Sequence, residues 1–312
     1  MNSTHAAGVQ PHQTLFRKTL SPLLTFARSS CYCLLGANLF VSSLTFAVTT
    51  STPPVVTANA PVVVTTTYSM ANTTNATSQT PALRLTYPSA VRMEQVLTDS
   101  IGHLSQLPVS ANIHNQPIYW LGAGLYRHVP HPDKAAVLTS LEQLSSQLSA
   151  DQSSSHAHDI AVIQALQQTL SALTIGERIF TPLDYDMVRI TPSANPLISQ
   201  SVTLVLPPRP TDIIVLGAVE KPGAQPWLPR QATDFYLSQA QPSSQGITQA
   251  ANSYATVIQP DGHVESHPIA YWNQNHLDIA PGATVYLNFA DLPRQFATLN
   301  DEIITLLRNR AL

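Results

Sequence analysis

The sequence is poor in charged residues, glycine and cysteine, and each shortage narrows the classes of protein that it can encode. Asp, Glu, Lys and Arg make up 11% of the 312 residues, against about 25% in a typical soluble chain. The formal net charge is -3. The chain therefore lacks the basic surface that nucleic acids require, and we expect no nucleic-acid partner. With 11 glycines and 25 prolines, the composition favours short strands joined by stiff loops.

Metal and catalytic motifs are also missing. The two cysteines, Cys31 and Cys33, lie in one apolar segment near the N-terminus, so a chain without that segment has no disulfide, thiolate ligand or cysteine nucleophile. The 11 histidines lack the helical two-histidine spacing with a third ligand that metal sites use. There is no Gly-x-Ser-x-Gly elbow, phosphate-binding glycine loop or dinucleotide fingerprint. We predict no metal, no cofactor and no enzymatic activity.

Residues 1–47 have the features of a signal peptide. Arg17, Lys18 and Arg28 supply positive charge ahead of the apolar segment 31–46, and no acidic residue occurs in residues 1–80. The segment is about as long as a signal-peptide core and short for a membrane span. Thr45-Phe46-Ala47 predicts cleavage after Ala47. We expect export, and the alternative is an uncleaved N-terminal anchor.

Residues 48–80 consist largely of Thr, Ala, Asn, Pro and Val and contain no charge. No amphipathic period is visible in them, and they predict a disordered linker.

The pattern from residue 81 to residue 209 predicts a small α+β domain. Apolar residues alternate at 83–87 as in a strand, follow a helical period at 91–104, and form a short run at 118–121 typical of a buried strand. Two amphipathic helices at 133–148 and 158–173 predict a helical hairpin, an insertion spanning 133–174. Further strands are predicted at 178–180, 187–190 and 202–206.

The proline-rich junction 207–210 predicts a domain boundary, with a second domain over 210–290. Its order is hairpin, short helix at 233–240, a second hairpin at 255–269 and a last strand at 284–289. Residues 291–312 predict an amphipathic C-terminal helix. Its apolar stripe either packs on the second domain or docks on a partner or the outer membrane; the stripe consists of Phe296, Leu299, Ile303, Leu306 and Leu307.

The order of these short motifs resembles the GfcC-like family of capsule and exopolysaccharide biosynthesis proteins, of the group 4 capsule type. In the second domain and the tail the motifs are Leu216-Gly217-Ala218-Val219, Pro226-Trp227-Leu228, Trp272-Asn273, Pro281-Gly282 and Leu299-Asn300-Asp301. In the first domain they are Tyr119-Trp120-Leu121-Gly122-Ala123, with Leu121 where the family has proline, Gly176-Glu177-Arg178, and 184–189. The resemblance extends from about residue 81 to the end.

The resemblance implies an α+β fold of two β-grasp-like domains, similar to the modules of outer-membrane polysaccharide export proteins. It also implies a periplasmic, non-enzymatic accessory role in capsule or exopolysaccharide assembly or export. The expected partners are polysaccharide or the export machinery, with contact to the outer membrane through the C-terminal helix, and the expected state is a monomer. Two alternatives stay open: a periplasmic polysaccharide-modifying enzyme, either hydrolase or lyase, and a structural subunit of an export channel.

Four residues are predicted to bind ligand. The resemblance associates Arg178 with a pocket in the first domain, and a guanidinium suits carboxylates or sugar hydroxyls; the alternatives are a surface arginine or a salt bridge with Asp184 or Asp186. These two aspartates would point the same way on a strand, or cap backbone amides in a turn. Trp120 is the fourth candidate, although we expect the tryptophans 120, 227 and 272, with Tyr119 and Tyr271, to pack in the core.

Overall fold

A computed structural model describes residues 61–69, 81–109, 115–151 and 156–312 of the chain. All of them belong to one unit, Val56–Leu312. The predicted signal peptide, its cleavage site and residues 48–60 and 70–80 of the predicted linker lie outside the described residues. Within these ranges, no helix combines the length and the apolar character needed to cross a membrane.

The first domain is built on a five-stranded mixed sheet. In chain order its strands, with those of a small separate ribbon, are β1 (Val62–Thr67), β2 (Ala82–Tyr87), β3 (Val91–Arg92), β4 (Gly124–Pro130), β5 (Gly176–Ile179), β6 (Leu197–Ile198) and β7 (Val202–Val205). The sheet order is β2-β1-β7-β4-β5, and β3 pairs with β6. The central pair, β1 and β7, is parallel, and all other neighbours are antiparallel. First and last strands side by side at the centre are the β-grasp arrangement.

Strand β1 corrects the linker prediction. Val62 and Val64 are 1% and 0% exposed, and Thr66 is fully buried, so this segment forms the centre of the sheet. The disordered-linker interpretation is wrong for these residues. The physical reason is the run of β-branched Val and Thr, which favours a half-buried pleated strand even where charge is missing.

The helices of the first domain are α1 (Met93–His103), α2 (Pro132–Ala150), α3 (Ala157–Ala172) and α4 (Tyr185–Ile190). Met93, Val96 and Leu97 of α1 pack into the core of the first sheet, as the helical period predicted. The strand predicted at 187–190 is wrong, because that segment is α4. Asp184 begins the helix by accepting a hydrogen bond on Oδ1 from the backbone N–H of Met187, at 2.9 Å. In a short apolar run, periodicity alone does not distinguish a strand from a helix. Here the N-cap at Asp184 favours the helix.

The prediction for a second short apolar run is also wrong. Residues 118–121 were predicted as a buried strand, but Trp120–Gly122 form a 3-10 turn. Leu121 is 40% exposed as a result. The turn leads directly into β4 and places its side chains at the edge of the sheet.

Helices α2 and α3 form the predicted hairpin, but they pack on the second domain. Leu141 and Leu144 of α2 and Leu166 of α3 belong to the same buried cluster as Ile213 and the rest of the second sheet. In the sequence the hairpin lies between β4 and β5 of the first sheet. In space its apolar side chains pack in the hydrophobic core of the second domain.

Hydrogen bonds of the Asp159 side chain also attach this hairpin to the second domain. Its side chain is buried, and Oδ1 accepts from both the backbone N–H (3.0 Å) and the hydroxyl (2.7 Å) of Thr248. A buried carboxylate is tolerated when hydrogen bonds satisfy it in this way.

The second domain repeats the topology of the first. Its strands and helix are β8 (Asp212–Gly217), β9 (Gly223–Pro226), α5 (Thr233–Ala240), β10 (Tyr254–Ile258), β11 (Val264–Pro268) and β12 (Thr284–Leu287). The order is β11-β10-β12-β8-β9, again with first and last strands parallel at the centre. The predicted α+β fold with two β-grasp sheets is confirmed.

The C-terminal helix α6 (Leu299–Arg308) follows a 3-10 turn at Arg294–Phe296. Its whole apolar stripe is at most 9% exposed and packs in the second-domain core; the stripe is Phe296, Leu299, Ile303, Leu306 and Leu307. The docking hypothesis is wrong for these five side chains, because a partner cannot reach them while the helix is packed. The physical reason is that the stripe covers the apolar surface between the sheet and the hairpin.

Gly217 gives a direct test of the second sheet. Its φ is +107°, and a Cβ added there would lie 2.2 Å from the backbone oxygen of Leu287. Positive φ alone costs a non-glycine residue about 1–3 kcal/mol, and the clash must also open the β8–β12 pairing. We therefore expect Gly217→Ala to lower the free energy of unfolding by about 3 kcal/mol, measured by urea denaturation. The matched control is Gly102→Ala in α1, where a Cβ meets nothing within 4 Å. Equal stability of the two variants would contradict the prediction.

Candidate functional site

A pocket of about 500 Å³ opens between the edge of the first sheet and the β10–β11 turn. Trp120, Arg178 and Asp184 line it together with Phe180 and Asp261. Three of the four predicted ligand-binding residues thus meet at one place. Asp186 is not among the lining residues and lies exposed on α4.

Local structure explains where each side chain comes from. Arg178 is on β5 and Phe180 follows two residues later, so both side chains point to the same side of the chain. Trp120 is on the 3-10 turn before β4, and Asp184 caps α4. Asp261 lies in the β10–β11 turn, where its Oδ1 accepts from the backbone N–H of His263 at 2.8 Å.

The guanidinium of Arg178 connects the two domains. Its Nη1 donates to the carbonyl oxygen of Pro260 at 2.8 Å, and its Nη2 donates to that of Ala123 at 2.9 Å. The side chain is 9% exposed, and the guanidinium lies 5.8 Å from the ring centres of both Tyr126 and Phe180. Arg178 is therefore a buried structural contact as well as a wall of the pocket.

No carboxylate neutralises Arg178 within the part of the chain that the structure describes. The alternative of a salt bridge with Asp184 or Asp186 is therefore wrong. Backbone carbonyl oxygens satisfy two of the five donors but carry no full charge. A buried cation without a counter-ion is costly, and this one lines the pocket.

Phe180 and Asp261 are site residues that the sequence analysis missed. Phe180 is 51% exposed. The guanidinium of Arg308 lies over its ring, 4.9 Å from the ring centre. Arg308 Nε in turn donates to the carbonyl oxygen of Gly262 at 3.1 Å. The two-residue spacing from Arg178 could have identified Phe180. Asp261 reaches the pocket through tertiary structure, which no local pattern reveals.

The three tryptophans have different environments. Trp227 is half-buried and its Nε1 donates to the carbonyl oxygen of Ile279 at 2.7 Å, in agreement with core packing. Trp120 is half-buried at the pocket. Trp272 is 72% exposed and its neighbour Tyr271 is 97% exposed. The expected core packing is wrong for these two, because they occupy the tip of a turn.

Tyr119 is half-buried, and the guanidinium of Arg209 lies 5.7 Å from its ring centre. Burial raises the pKa of its hydroxyl, although the positive charge of Arg209 acts in the opposite direction.

In the described ranges, no group of three or more His, Asp, Glu or Cys side chains is placed to hold a metal ion.

Comparisons with known proteins agree with this architecture. The family model "Capsule biosynthesis GfcC, N-terminal" matches residues 71–209, and "Capsule biosynthesis GfcC C-terminal" matches residues 221–311. The uncharacterized protein YjbG of Escherichia coli strain K12 is 33% identical over 189 residues, which cover 61% of this chain and 74% of YjbG. Together the two models cover the C-terminal helix and the strands of both sheets other than β1 and β8. The chain therefore belongs to the GfcC family of capsule biosynthesis proteins.

Proposed function

We propose that this protein is a non-enzymatic accessory component of capsule or exopolysaccharide assembly or export, which binds a segment of polysaccharide in the pocket around Arg178. Membership of the GfcC family supports a role in capsule biosynthesis. One observation supports the binding: a buried arginine without a carboxylate partner lines a pocket that is also lined by aromatic residues and two exposed carboxylates.

This set of groups suits a sugar chemically. A pyranose ring has an apolar face of C–H groups, which the rings of Trp120 and Phe180 can contact. Its hydroxyls can donate to Asp184 and Asp261, while ring oxygens or uronate carboxylates can accept from Arg178. Because the lining comes from both domains, a bound sugar would also stabilise their arrangement.

The two carboxylates favour binding over catalysis. Glycoside hydrolysis needs two carboxyl groups in different environments, one protonated and one ionised. Asp184 and Asp261 are both exposed, and each accepts a hydrogen bond from the backbone of its own turn. The two carboxylates therefore occupy similar environments, whereas this chemistry needs different ones.

The place of action is part of the proposal. The features of residues 1–47 support export to the periplasm, where the protein would meet the polysaccharide or the export machinery. We propose a monomer, because one complete pocket forms within a single chain.

The test is calorimetric titration of the purified chain with fragments of the host's own surface polysaccharide. We expect Arg178→Lys and Phe180→Ala each to weaken binding at least tenfold, since a charge-assisted hydrogen bond contributes about 1.5–3 kcal/mol. The matched control is Arg189→Ala, which removes an exposed arginine stacked on Tyr185 at 5.4 Å, on α4 and outside the lining of the pocket.

Three results would contradict the proposal. Unchanged affinity in both pocket variants would exclude the pocket as the binding site. Shortened glycan after incubation would instead indicate a polysaccharide-modifying enzyme. A ring-shaped oligomer in light scattering would favour the export-channel subunit.

A further inference from the structure

Two aromatic side chains stand in solvent on the second domain. Tyr271 and Trp272 are the middle residues of a turn that the backbone N–H of Asn273 closes by donating to the carbonyl oxygen of Ala270 at 3.1 Å. Their exposed fractions are 97% and 72%. Adjacent exposed rings of this size mark an interaction site more often than an isolated apolar residue does.

The turn is held in place by the side chain of Asn273. Its Oδ1 accepts from the backbone N–H of Ala270 at 3.0 Å, and its Nδ2 donates to the carbonyl oxygen of Ser253 at 2.9 Å. The backbone N–H of Ile269 bonds the same Ser253 carbonyl at 3.0 Å. The backbone that carries the aromatic pair is thus fixed before any ligand arrives, which reduces the entropic cost of binding.

The turn adjoins a polar groove of about 510 Å³, because Ser253, which anchors it, also lines that groove. The lining continues along β10 and across to the end of β12, with Asn252, Tyr254, Thr256 and Asn288. Tyr254 is 50% exposed and adds a third aromatic ring. Amides and hydroxyls in a row offer both donors and acceptors.

This groove and the Arg178 pocket differ in the charges that line them. Among the described lining residues Asp291 alone carries a charge, and no cation accompanies it. An anionic sugar would be repelled there, whereas a neutral sugar can exchange hydroxyl hydrogen bonds with the amides and hydroxyls. A protein partner is a poorer match, since the lining is mainly polar and lacks an apolar centre.

We propose that the Tyr271–Trp272 turn and the adjoining groove form a second glycan site that binds neutral sugar residues. The aromatic turn contacts the apolar face of a pyranose ring, and the groove fixes its hydroxyls. The inference deepens the proposed function by adding a second site with a different sugar preference. Two sites on one chain would hold separate segments of one polysaccharide, which increases the overall affinity through effective concentration.

The experiment uses the full chain and two sets of probes. Fragments of the host's surface polysaccharide are separated by anion exchange into neutral and acidic fractions, and neutral hexasaccharides of glucose, mannose and galactose are added to the neutral set. Calorimetry gives the affinity, and the indole N–H resonance that disappears in Trp272→Phe reports on the site itself. We expect Trp272→Ala to weaken binding of the neutral fraction at least tenfold. We expect Asn273→Ala, which removes the two side-chain hydrogen bonds of the turn, to weaken it about threefold and to lower the melting temperature by a few degrees.

Ile190→Ala is the matched control, since it removes an apolar side chain that is 75% exposed on α4 of the first domain. The inference is overturned if no neutral probe binds, or if neutral binding is equal in wild type and Trp272→Ala. It is also overturned if Trp272→Ala leaves glycan binding intact and abolishes a protein contact. Loss of acidic-fraction binding in Arg178→Lys with neutral binding retained tests the first pocket separately, so the failure of one proposal can be told from the failure of the other.

Discussion

A chain that begins at residue 81 should fail to fold its first domain. Removing the preceding residues deletes β1, which pairs with β2 on one side and with β7 on the other. The deletion leaves β2 without a neighbour and exposes the surface that Val62 and Val64 cover. Burial of a valine contributes about 1.5–3 kcal/mol, and both sets of ladder hydrogen bonds are lost in addition. We expect the amide resonances of the first domain to collapse to the dispersion of an unfolded chain.

The matched control is a chain that begins at Val56, which keeps β1 and should give a dispersed spectrum throughout. A full-length variant, Val64→Asp, tests the same point without truncation, because it places a charge at a fully buried position. We expect it to lower the free energy of unfolding by several kcal/mol, on the order of 3–5. Native amide protection of β2 and β7 in the chain beginning at residue 81 would contradict this account.

The contrast between β1 and the second domain shows what the sequence can predict. The hairpins of the second domain were identified because their turns carry local signals, such as Pro260-Asp261-Gly262, where Gly262 adopts a φ of +86°. Strand β1 has no turn signal beside it, and its partners β2 and β7 are separated from it by unequal lengths of chain. The β-branched composition of β1 favours a strand, but it does not identify the distant neighbours that a central strand pairs with.

The candidate site shows the same limit. Arg178 and Asp184 are close in sequence, and the family resemblance brought Arg178 forward. The contacts that fix its guanidinium are the carbonyl oxygens of Pro260 and Ala123, 82 and 55 positions away. Trp272 was expected in the core because tryptophan is highly buried on average. Only the folded turn, anchored to Ser253, shows that it faces solvent.

The last residues of the chain join the two domains. The backbone of 309–311 runs along the segment before and within β5. The N–H of Gly176 donates to the carbonyl oxygen of Asn309 at 3.1 Å, and the N–H of Ala311 donates to that of Thr174 at 2.9 Å. The side-chain Oδ1 of Asn309 accepts from the backbone N–H of Arg178 at 3.0 Å.

Arg310 provides the connection to the second domain. Its Nη1 donates to the carbonyl oxygen of Gly282 and to Oγ1 of Thr284, each at 2.9 Å. Its own carbonyl oxygen accepts from the hydroxyl of Tyr126 in the first sheet at 3.0 Å. Burial lowers the pKa of Arg310 to about 10, although nearby Asp212 acts in the opposite direction. The residue stays charged at neutral pH, and its bonds link both sheets.

We expect a chain that ends at Arg308 to lose this connection. Removing residues 309–312 eliminates six hydrogen bonds that reach both domains, and at about 1 kcal/mol net for each bond the loss is about 6 kcal/mol. The expected results are a lower melting temperature, faster hydrogen exchange at the amides of Gly176 and Arg178, and weaker polysaccharide binding, since the backbone of Arg178 loses its anchor. Asn309→Ala is the graded control, which keeps the backbone bonds and should cost about 2 kcal/mol. If the shortened chain melts with wild-type stability and the two amides stay protected, the contact between the domains depends on Arg178 and the hairpin core, and the last residues do not hold the pocket together.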